Sequence, residues 1–498
     1  MSLTDRTVPT DVALNTDLYE LTMAQGFWEA GMTDTLGAFT VFFRENPFGG
    51  GYTVACGTGQ IADLVENFKF EPDSIEYLRS LQAPGGGPMF KEEFLDYLAN
   101  FSMDLDIYAV QEGDIVFPRE PLVRVQGPII ACQLIETALL NLVNFQSLVA
   151  TKTARVVQAA EGHAVSDFGL RRAQGPDGGL AVARASYIGG ANSTSNVLAG
   201  KIYGIPVFGT HAHSWVMAFP KEIDAFRAFA KSFPKNCVLL LDTYDVVQGI
   251  ENAIVVAKEM EAAGERLAAV RIDSGDLAKL SKMARARFDE EGLDYVKISA
   301  SNDLDEYTIQ SLFAQGAPID SFGVGTKLAT CDPQPSLGGV YKLSAYKSAG
   351  QTQWQPTMKL SEMAYKRTIP GVQRLVRYRD AAGVPIGDVI VDDEYRDPSQ
   401  EGFAVNVLDV DTVYDFRGAE ASDVLVSMVL GGKGTGKQGT IGEARQRCRD
   451  ALMYLDAATR RFLNPQLYPV GLEPGLSSLR SHLAREERER ASHSERRI

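Results

Sequence analysis

The chain has 498 residues, 45% of them hydrophobic, with 49 basic and 64 acidic side chains and a formal net charge of −15. This acidic balance argues against general binding to nucleic acid or an anionic membrane, which needs a basic surface, but leaves room for a local cationic pocket. The length allows two or three domains around a large core. Residues 1–17 lack an apolar signal-like stretch, no run of 18 or more apolar residues occurs, and the five cysteines are widely spaced without a CxxC pair. These features point to a cytoplasmic enzyme with reduced thiols and no membrane span.

In chain order, residues 39–43 read as a strand followed by the turn-rich Asn46-Pro47-Phe48-Gly49-Gly50-Gly51. Residues 107–110 and 121–125 read as strands, and 129–160 as a long apolar helical stretch. Apolar runs then recur at 164–165, 205–208, 237–241, 268–272, 296–298 and 319–324, mostly separated by one helix-sized segment. That rhythm predicts parallel strands joined by crossover helices, in a barrel or an open doubly wound sheet. Polar residues cluster just after these runs: Asp167 and Arg171, Thr210 and His213, Asp242, Asp273, Ser301 and Asn302, then Thr326. In a β/α barrel, reacting groups sit at those strand ends.

Beyond residue 345, segments 341–346, 374–378 and 388–391 read as strands of a non-barrel region that pairs with the N-terminal part. Residues 441–462 read as a helix, and the Arg- and Glu-rich tail from Arg485 as a solvated or disordered segment. The expected division is 1–128, 129–345 (the barrel), 346–440 and 441–498.

Four constellations carry chemistry. Histidine is scarce, five in the chain, yet His211 and His213 lie two positions apart after the run at 205–208. In an extended segment such residues point the same way, which suits metal ligands or a nucleophile with a neighbour. Outside the tail only His163 remains, and it precedes its strand, so no metal site is expected and a metal-dependent barrel hydrolase is disfavoured. Gly431 to Gln438 (GGKGTGKQ) nearly matches a P-loop, but Gln438 stands where the magnesium-binding hydroxyl should be, so a flexible Gly/Lys loop is the reading. Gly323-Val324-Gly325-Thr326 and Ser336-Leu337-Gly338-Gly339 suit a phosphate cradle or simply tight turns. Arg271-Ile272-Asp273-Ser274-Gly275-Asp276 places one cation and two carboxylates at one mouth, as a functional group or a structural ion pair.

Taken together, these segments resemble the nicotinate phosphoribosyltransferase family, a type II phosphoribosyltransferase. The likeness runs from Asn15 to about Glu362 and is carried by Asn15-Thr16-Asp17-Leu18-Tyr19, Arg44 with the 47–51 loop, Asp167 to Gly175, Gly209 to Ser214, Val270 to Asp276, Gly323 to Thr326 and Ser336 to Leu343. The resemblance implies an irregular β/α barrel with a second α/β domain built from the N- and C-terminal segments. It implies that nicotinate and phosphoribosyl pyrophosphate give nicotinate mononucleotide and pyrophosphate, coupled to ATP hydrolysis through a phosphohistidine, with Mg²⁺ accompanying the polyphosphates. By the same resemblance His213 is the phosphorylated histidine and His211 has no assigned chemistry. Tyr19 and Phe168 sandwich the pyridine ring, with Tyr19 from the partner subunit of a homodimer. Arg171, Thr210 and Arg271 line the nicotinate and ribose pocket. Gly323, Gly325, Thr326 and Ser301 meet the 5′-phosphate side, and Arg44, Lys342 and Lys359 contact pyrophosphate. Asp273 supports the ribose.

Two residues extend this reading. Asp242 is expected to accept the second N–H of His213 and fix its tautomer. Asn192, where the related nicotinamide enzyme carries Asp, is expected to open a helix over 192–200 and favour the nicotinate anion. The rival readings are a nicotinamide or quinolinate phosphoribosyltransferase, the barrel hydrolase, and a non-catalytic nucleotide-binding protein on the same fold.

Overall fold

The computed structural model describes residues 11–360, 367–392, 394 and 398–495. The chain divides into two compact units, with boundaries at Thr151/Lys152 and Pro335/Ser336. The first unit joins both ends of the chain, and the second is the continuous middle. The expected boundary at 129 moves to Thr151 because the short apolar helix Ile129–Leu134 packs on the strands Leu36–Phe42 and Val123–Pro128 of the first unit. Segments 346–440 and 441–498 do not stand apart; both belong to that unit.

In the first unit the strand Leu36–Phe42 lies between Val123–Pro128 and Val340–Lys347, antiparallel to both. The expected pairing of 341–346 with the N-terminal part is therefore present. The strands Gln373–Arg379 and Pro385–Asp392 instead pair with each other, in a separate sheet with Phe403–Asn406 and Val470–Leu472. A buried ion pair ties this sheet to the N-terminal segment: Arg377 grips Asp388 at 2.6 Å and donates to the carbonyl of Ile115 at 2.8 Å. The glycine-rich stretch is a hairpin between Leu425–Leu430 and Lys433–Gly434, with Gly431 and Gly432 at φ 52° and 72°, a backbone that glycine adopts readily. It has no phosphate-loop geometry, because a strand, not a helix, follows it. The next helix, Ile441–Tyr454, starts at a Thr440/Glu443 capping box and stops short of 462. Over its described residues, the tail from Arg485 is not disordered but continues the helix Pro474–Glu495.

The second unit holds a parallel sheet ordered Ser193–Thr194, Ala164–Asp167, Ser321–Val324, Lys297–Ala300, Ala269–Ile272, Val238–Leu240. The last strand in sequence pairs back onto the first, Phe322 beside Val165, as in a barrel. The run at 205–208 contributes only a parallel bridge, Thr194 to Val207. One seam, between this run and Val238–Leu240, has no strand-to-strand ladder among the described residues, which makes the barrel irregular. The strand Ser193–Thr194 had no sequence signal: it is two residues of Ser and Thr. Helices return between the strands, several opened by an Asx cap: Asn196, Asp245, Asp276 and Asp305 each accept a backbone N–H three residues on.

Candidate active site

The C-terminal strand ends of the barrel gather most of the residues singled out in the middle of the chain. Asp167 ends its strand fully buried, and its carboxylate accepts from the N–H of Gly169 and the hydroxyl of Thr194, both at 2.8 Å. This Asp-x-Gly turn throws Phe168 and the short Leu170–Arg172 helix over the barrel mouth. Phe168 lies against Gly323: a Cβ built there would stand 2.4 Å from the ring. Gly323 is thus a strand residue that seats an aromatic ring. Gly325 precedes a short turn of helix that Thr326 opens.

Arg271 projects from its strand, half-buried, and donates to the hydroxyl of Thr210. Burial lowers its pKa; Asp273 and Asp242 oppose that, and Arg171 adds to it. Arg171 and Arg271 therefore share a neighbourhood, and the buried Nε of Arg271 has no acceptor among the described residues. Two close guanidiniums with a spare donor suit an anionic substrate group.

His213 opens the helix His213–Met217 and keeps 41% of its side chain exposed, so its ring is reachable. Its Nδ1 lies 3.2 Å from the Thr243 hydroxyl, and its Nε2 lies 4.0 Å from Asp273 Oδ2. The expected bond to Asp242 is not made. Asp242 Oδ2 instead accepts from the N–H of Asp273 at 3.0 Å and from the Ser274 hydroxyl. Asp242 therefore positions the Asp273 turn, and Thr243, one residue later, is the partner of His213. The other oxygen of Asp273 accepts from Ser301. Ser301 is buried and its hydroxyl is committed to that carboxylate rather than open to a phosphate. The second expected carboxylate, Asp276, is a helix cap, so one carboxylate of that motif faces the mouth.

Asn192 is also corrected. Its Oδ1 accepts from the N–H of Val165, two positions short of the strand end marked by Asp167, and the helix cap is Asn196. The side chain is tied to the edge of the barrel strand and does not open the helix.

His211 has a role that the sequence did not show. It is buried, and its Nε2 accepts from the backbone N–H of Leu240 at 3.2 Å. The strand Val238–Leu240 pairs on one side with Ala269–Ile272, where Leu241 N–H takes the carbonyl of Arg271. Alternate N–H groups of a strand point to opposite edges, so that of Leu240 points into the seam. His211 satisfies it there, with Nδ1 toward the Ala212 carbonyl and Phe229 edge-on at 4.7 Å. Burial first, then the neighbouring Arg271 and His213, push its pKa down to about 4, so the ring is a neutral acceptor.

In the first unit, Tyr19 stands 46% exposed on the helix Leu18–Glu29. Its hydroxyl pairs with Glu136, and burial and that carboxylate raise its pKa. Lys342 is close enough to Glu136 to oppose the rise of that group's pKa, so Tyr19 and Lys342 belong to one neighbourhood. Arg44, two residues past the strand Leu36–Phe42, lies over the Phe42 ring, and Lys359 is exposed, its N–H donating to Thr368 at 2.9 Å. Among the described residues no group of three or more His, Cys, Asp or Glu is arranged to hold a metal ion, and no helix is long and apolar enough to cross a membrane.

The sequence profiles of nicotinate phosphoribosyltransferase match this chain in three stretches: the N-terminal domain over 14–144, the family domain over 163–369 and the C-terminal domain over 372–480. The nicotinate phosphoribosyltransferase pncB2 of Mycobacterium tuberculosis is 47% identical over 344 residues, covering 69% of this chain and 72% of its own. The human nicotinate phosphoribosyltransferase is 34% identical over 523 residues, covering 94% and 95%. Its crystal structure superposes with a TM-score of 0.80 over 94% of this chain and 99% of that one. A nicotinate-nucleotide pyrophosphorylase from Pyrococcus furiosus shares the fold at 20% identity, with a TM-score of 0.66 over 89% of this chain and 95% of its own.

Proposed function

The chain belongs to the nicotinate phosphoribosyltransferase family, and from that premise we propose that it makes nicotinate mononucleotide and pyrophosphate from nicotinate and phosphoribosyl pyrophosphate, driven by ATP through phosphorylation of His213. The observation that carries the reading is the barrel mouth itself, where an exposed His213, the Arg271–Thr210 pair and Asp273 converge. Nicotinate is an anion, and the Arg171/Arg271 pair supplies the charge that favours it over neutral nicotinamide. Phe168, seated on Gly323, offers one ring face, and Tyr19 of the partner subunit the other, in a homodimer with shared sites. Arg44, Lys342 and Lys359 meet the pyrophosphate, and Thr326 the 5′-phosphate.

Thr243 can accept the Nδ1–H of His213, which leaves the Nε2 lone pair free at the mouth. On attack, the Nε2–P bond forms and the bond to the β,γ-bridging oxygen of ATP breaks, releasing ADP. The new phosphoryl group brings negative charge next to Asp273. Its repulsion with that carboxylate raises the free energy of the phosphorylated state, which hydrolysis relieves. Asp273, held by Ser301 and by the Asp242-braced turn, is placed to stabilise positive charge developing on the ribose as pyrophosphate leaves.

The oxygen donors present fit Mg²⁺ carried in with the polyphosphates: Asp242 Oδ1 is buried with no hydrogen-bond partner among the described residues, beside Asp273. Bound there, the ion would neutralise phosphate charge. The reading also assigns the enzyme to the cytoplasm, in keeping with five buried free thiols.

The test is incubation with nicotinate, phosphoribosyl pyrophosphate and Mg-ATP. Mononucleotide should form, with an acid-labile phosphoprotein that His213→Ala abolishes. Undiminished labelling in His213→Ala would sink the phosphohistidine assignment, and absence of mononucleotide the activity.

A further inference from the structure

The first unit contains a second concentration of positive charge that the reading above does not use. Arg480, on the helix Pro474–Glu495, and Arg367 line a cavity of about 380 Å³. Ser477, Arg480 and Ser481 occupy one face of that helix, spaced three and four residues apart, and Asn406 comes from the end of the strand Phe403–Asn406. The remaining lining is apolar, mainly the loop at Val407, Leu408 and Val410. Among the described residues no carboxylate lines the cavity.

Two half-buried guanidiniums side by side cost free energy without a counter-charge, because each is partly desolvated and the two repel. Among the described residues neither arginine forms an ion pair. Among the described residues Arg480 donates only to the carbonyl of Val407, at 2.8 Å. The buried Nε of Arg367 has no acceptor. Burial and the adjacent Arg367 both lower the pKa of Arg480. Arg119 adds to the same positive field: burial, then Arg44 and Arg480, push its pKa down to about 10. Two guanidiniums, two hydroxyls and a carboxamide converging on one cavity form the donor set that a phosphate dianion satisfies. The volume exceeds that of a lone phosphate and reaches the range of small-ligand pockets, and the loop supplies an apolar wall.

We propose that this cavity is a binding site for a phosphate monoester with an apolar or ring-bearing portion, separate from the barrel mouth, with Arg367 and Arg480 as its anion contacts. A ligand bound there stabilises the fold, since it relieves the repulsion between the two guanidiniums.

Two probes distinguish free phosphate from an ester: inorganic phosphate and adenosine monophosphate, with adenosine as the uncharged control. Each is titrated into the full chain, with heat of binding and melting temperature as readouts. Both anions should bind and raise the melting temperature, the monophosphate more tightly, and adenosine should do neither. Arg480→Gln and Arg367→Gln should each weaken this binding at least tenfold. Arg367→Gln removes no hydrogen bond seen in the fold, so its melting temperature without ligand should not fall. Both variants should keep kcat/KM for phosphoribosyl pyrophosphate within about twofold of the parent. Unchanged anion binding in both variants would overturn the site. A tenfold loss of kcat/KM would place these arginines in the substrate site and overturn its separateness. Mononucleotide synthesis by the parent is measured independently, so a failure of the proposed activity is not confused with a failure here.

Discussion

At the scale of single residues, the two histidines of the His-x-His motif divide the work. His213 is exposed and meets Thr243 and Asp273; His211 is buried and pins the barrel seam. His211→Ala leaves the Leu240 N–H without an acceptor and a void against Phe229. The expected loss is about 1–3 kcal/mol from the orphaned donor alone, with more from packing. His211→Gln, whose side-chain oxygen can reach the same N–H, should recover much of it, and chemical unfolding of the three proteins would show this. Equal destabilisation by Ala and Gln would remove the hydrogen bond from the explanation. Gly323→Ala is the matching test on the substrate side. The added methyl displaces the Phe168 ring, so KM for nicotinate should rise several-fold while folding is largely preserved. The sequence made His213, Arg271, Thr210 and Asp273 legible because they stand in or just after apolar runs. It could not show which neighbouring carboxylate faces the mouth. Asp242 braces a turn and Asp276 caps a helix, and those choices depend on loop dihedrals that composition does not encode. Thr243 was missed for the same reason, standing beside a more conspicuous Asp.

At the scale of elements, a buried carboxyl group helps fix the helix Leu18–Glu29 to the start of the helix Glu136–Ala159. Glu20 is fully buried and accepts from Thr16 and from both the N–H and the hydroxyl of Thr137. Burial outweighs those hydrogen bonds and raises its pKa from 4.5 to about 7. The fold therefore prefers the protonated form. Its stabilising effect is complete below about pH 4.5 and is lost as pH rises through about 7, up to about 3 kcal/mol in all. Glu20→Gln should flatten the melting temperature between pH 5 and 8 and leave the variant more stable than the parent at pH 8. A parent whose stability is constant over that interval would refute the titration. Since Tyr19 adjoins Glu20 on this helix, the same pH interval should affect nicotinate affinity if Tyr19 is a ring contact. The barrel strands were mostly visible in sequence because buried parallel strands read as apolar runs. Ser193–Thr194 was hidden because it is short and hydroxylic. The 205–208 run overstated itself, since an apolar stretch can end in a single bridge with a histidine completing the edge.

At the scale of the whole molecule, the chain's ends fold together and its middle forms the barrel, so no cut into successive segments describes it. The resemblance anticipated that the N- and C-terminal segments would build one domain. The boundary at Thr151 was not legible, because the helix Glu136–Ala159 runs through it without a breaker. The proposed functional residues are correspondingly split: Tyr19, Arg44, Lys342 and Lys359 in one unit, Phe168, Arg171, His213 and Arg271 in the other. If each site takes Tyr19 from the partner subunit, two inactive variants should complement. Tyr19→Ala and His213→Ala homodimers each have a lesion in every site. A heterodimer has one site with both lesions and one site with neither, because the intact Tyr19 and the intact His213 lie on opposite chains. Random exchange makes half the dimers mixed, each with one of two sites restored, so mononucleotide synthesis should recover to about a quarter of the parent rate. If the sites were built within single chains, every site in the mixture would carry a lesion, and no exchange time or mixing ratio would raise the rate above that of the separate variants.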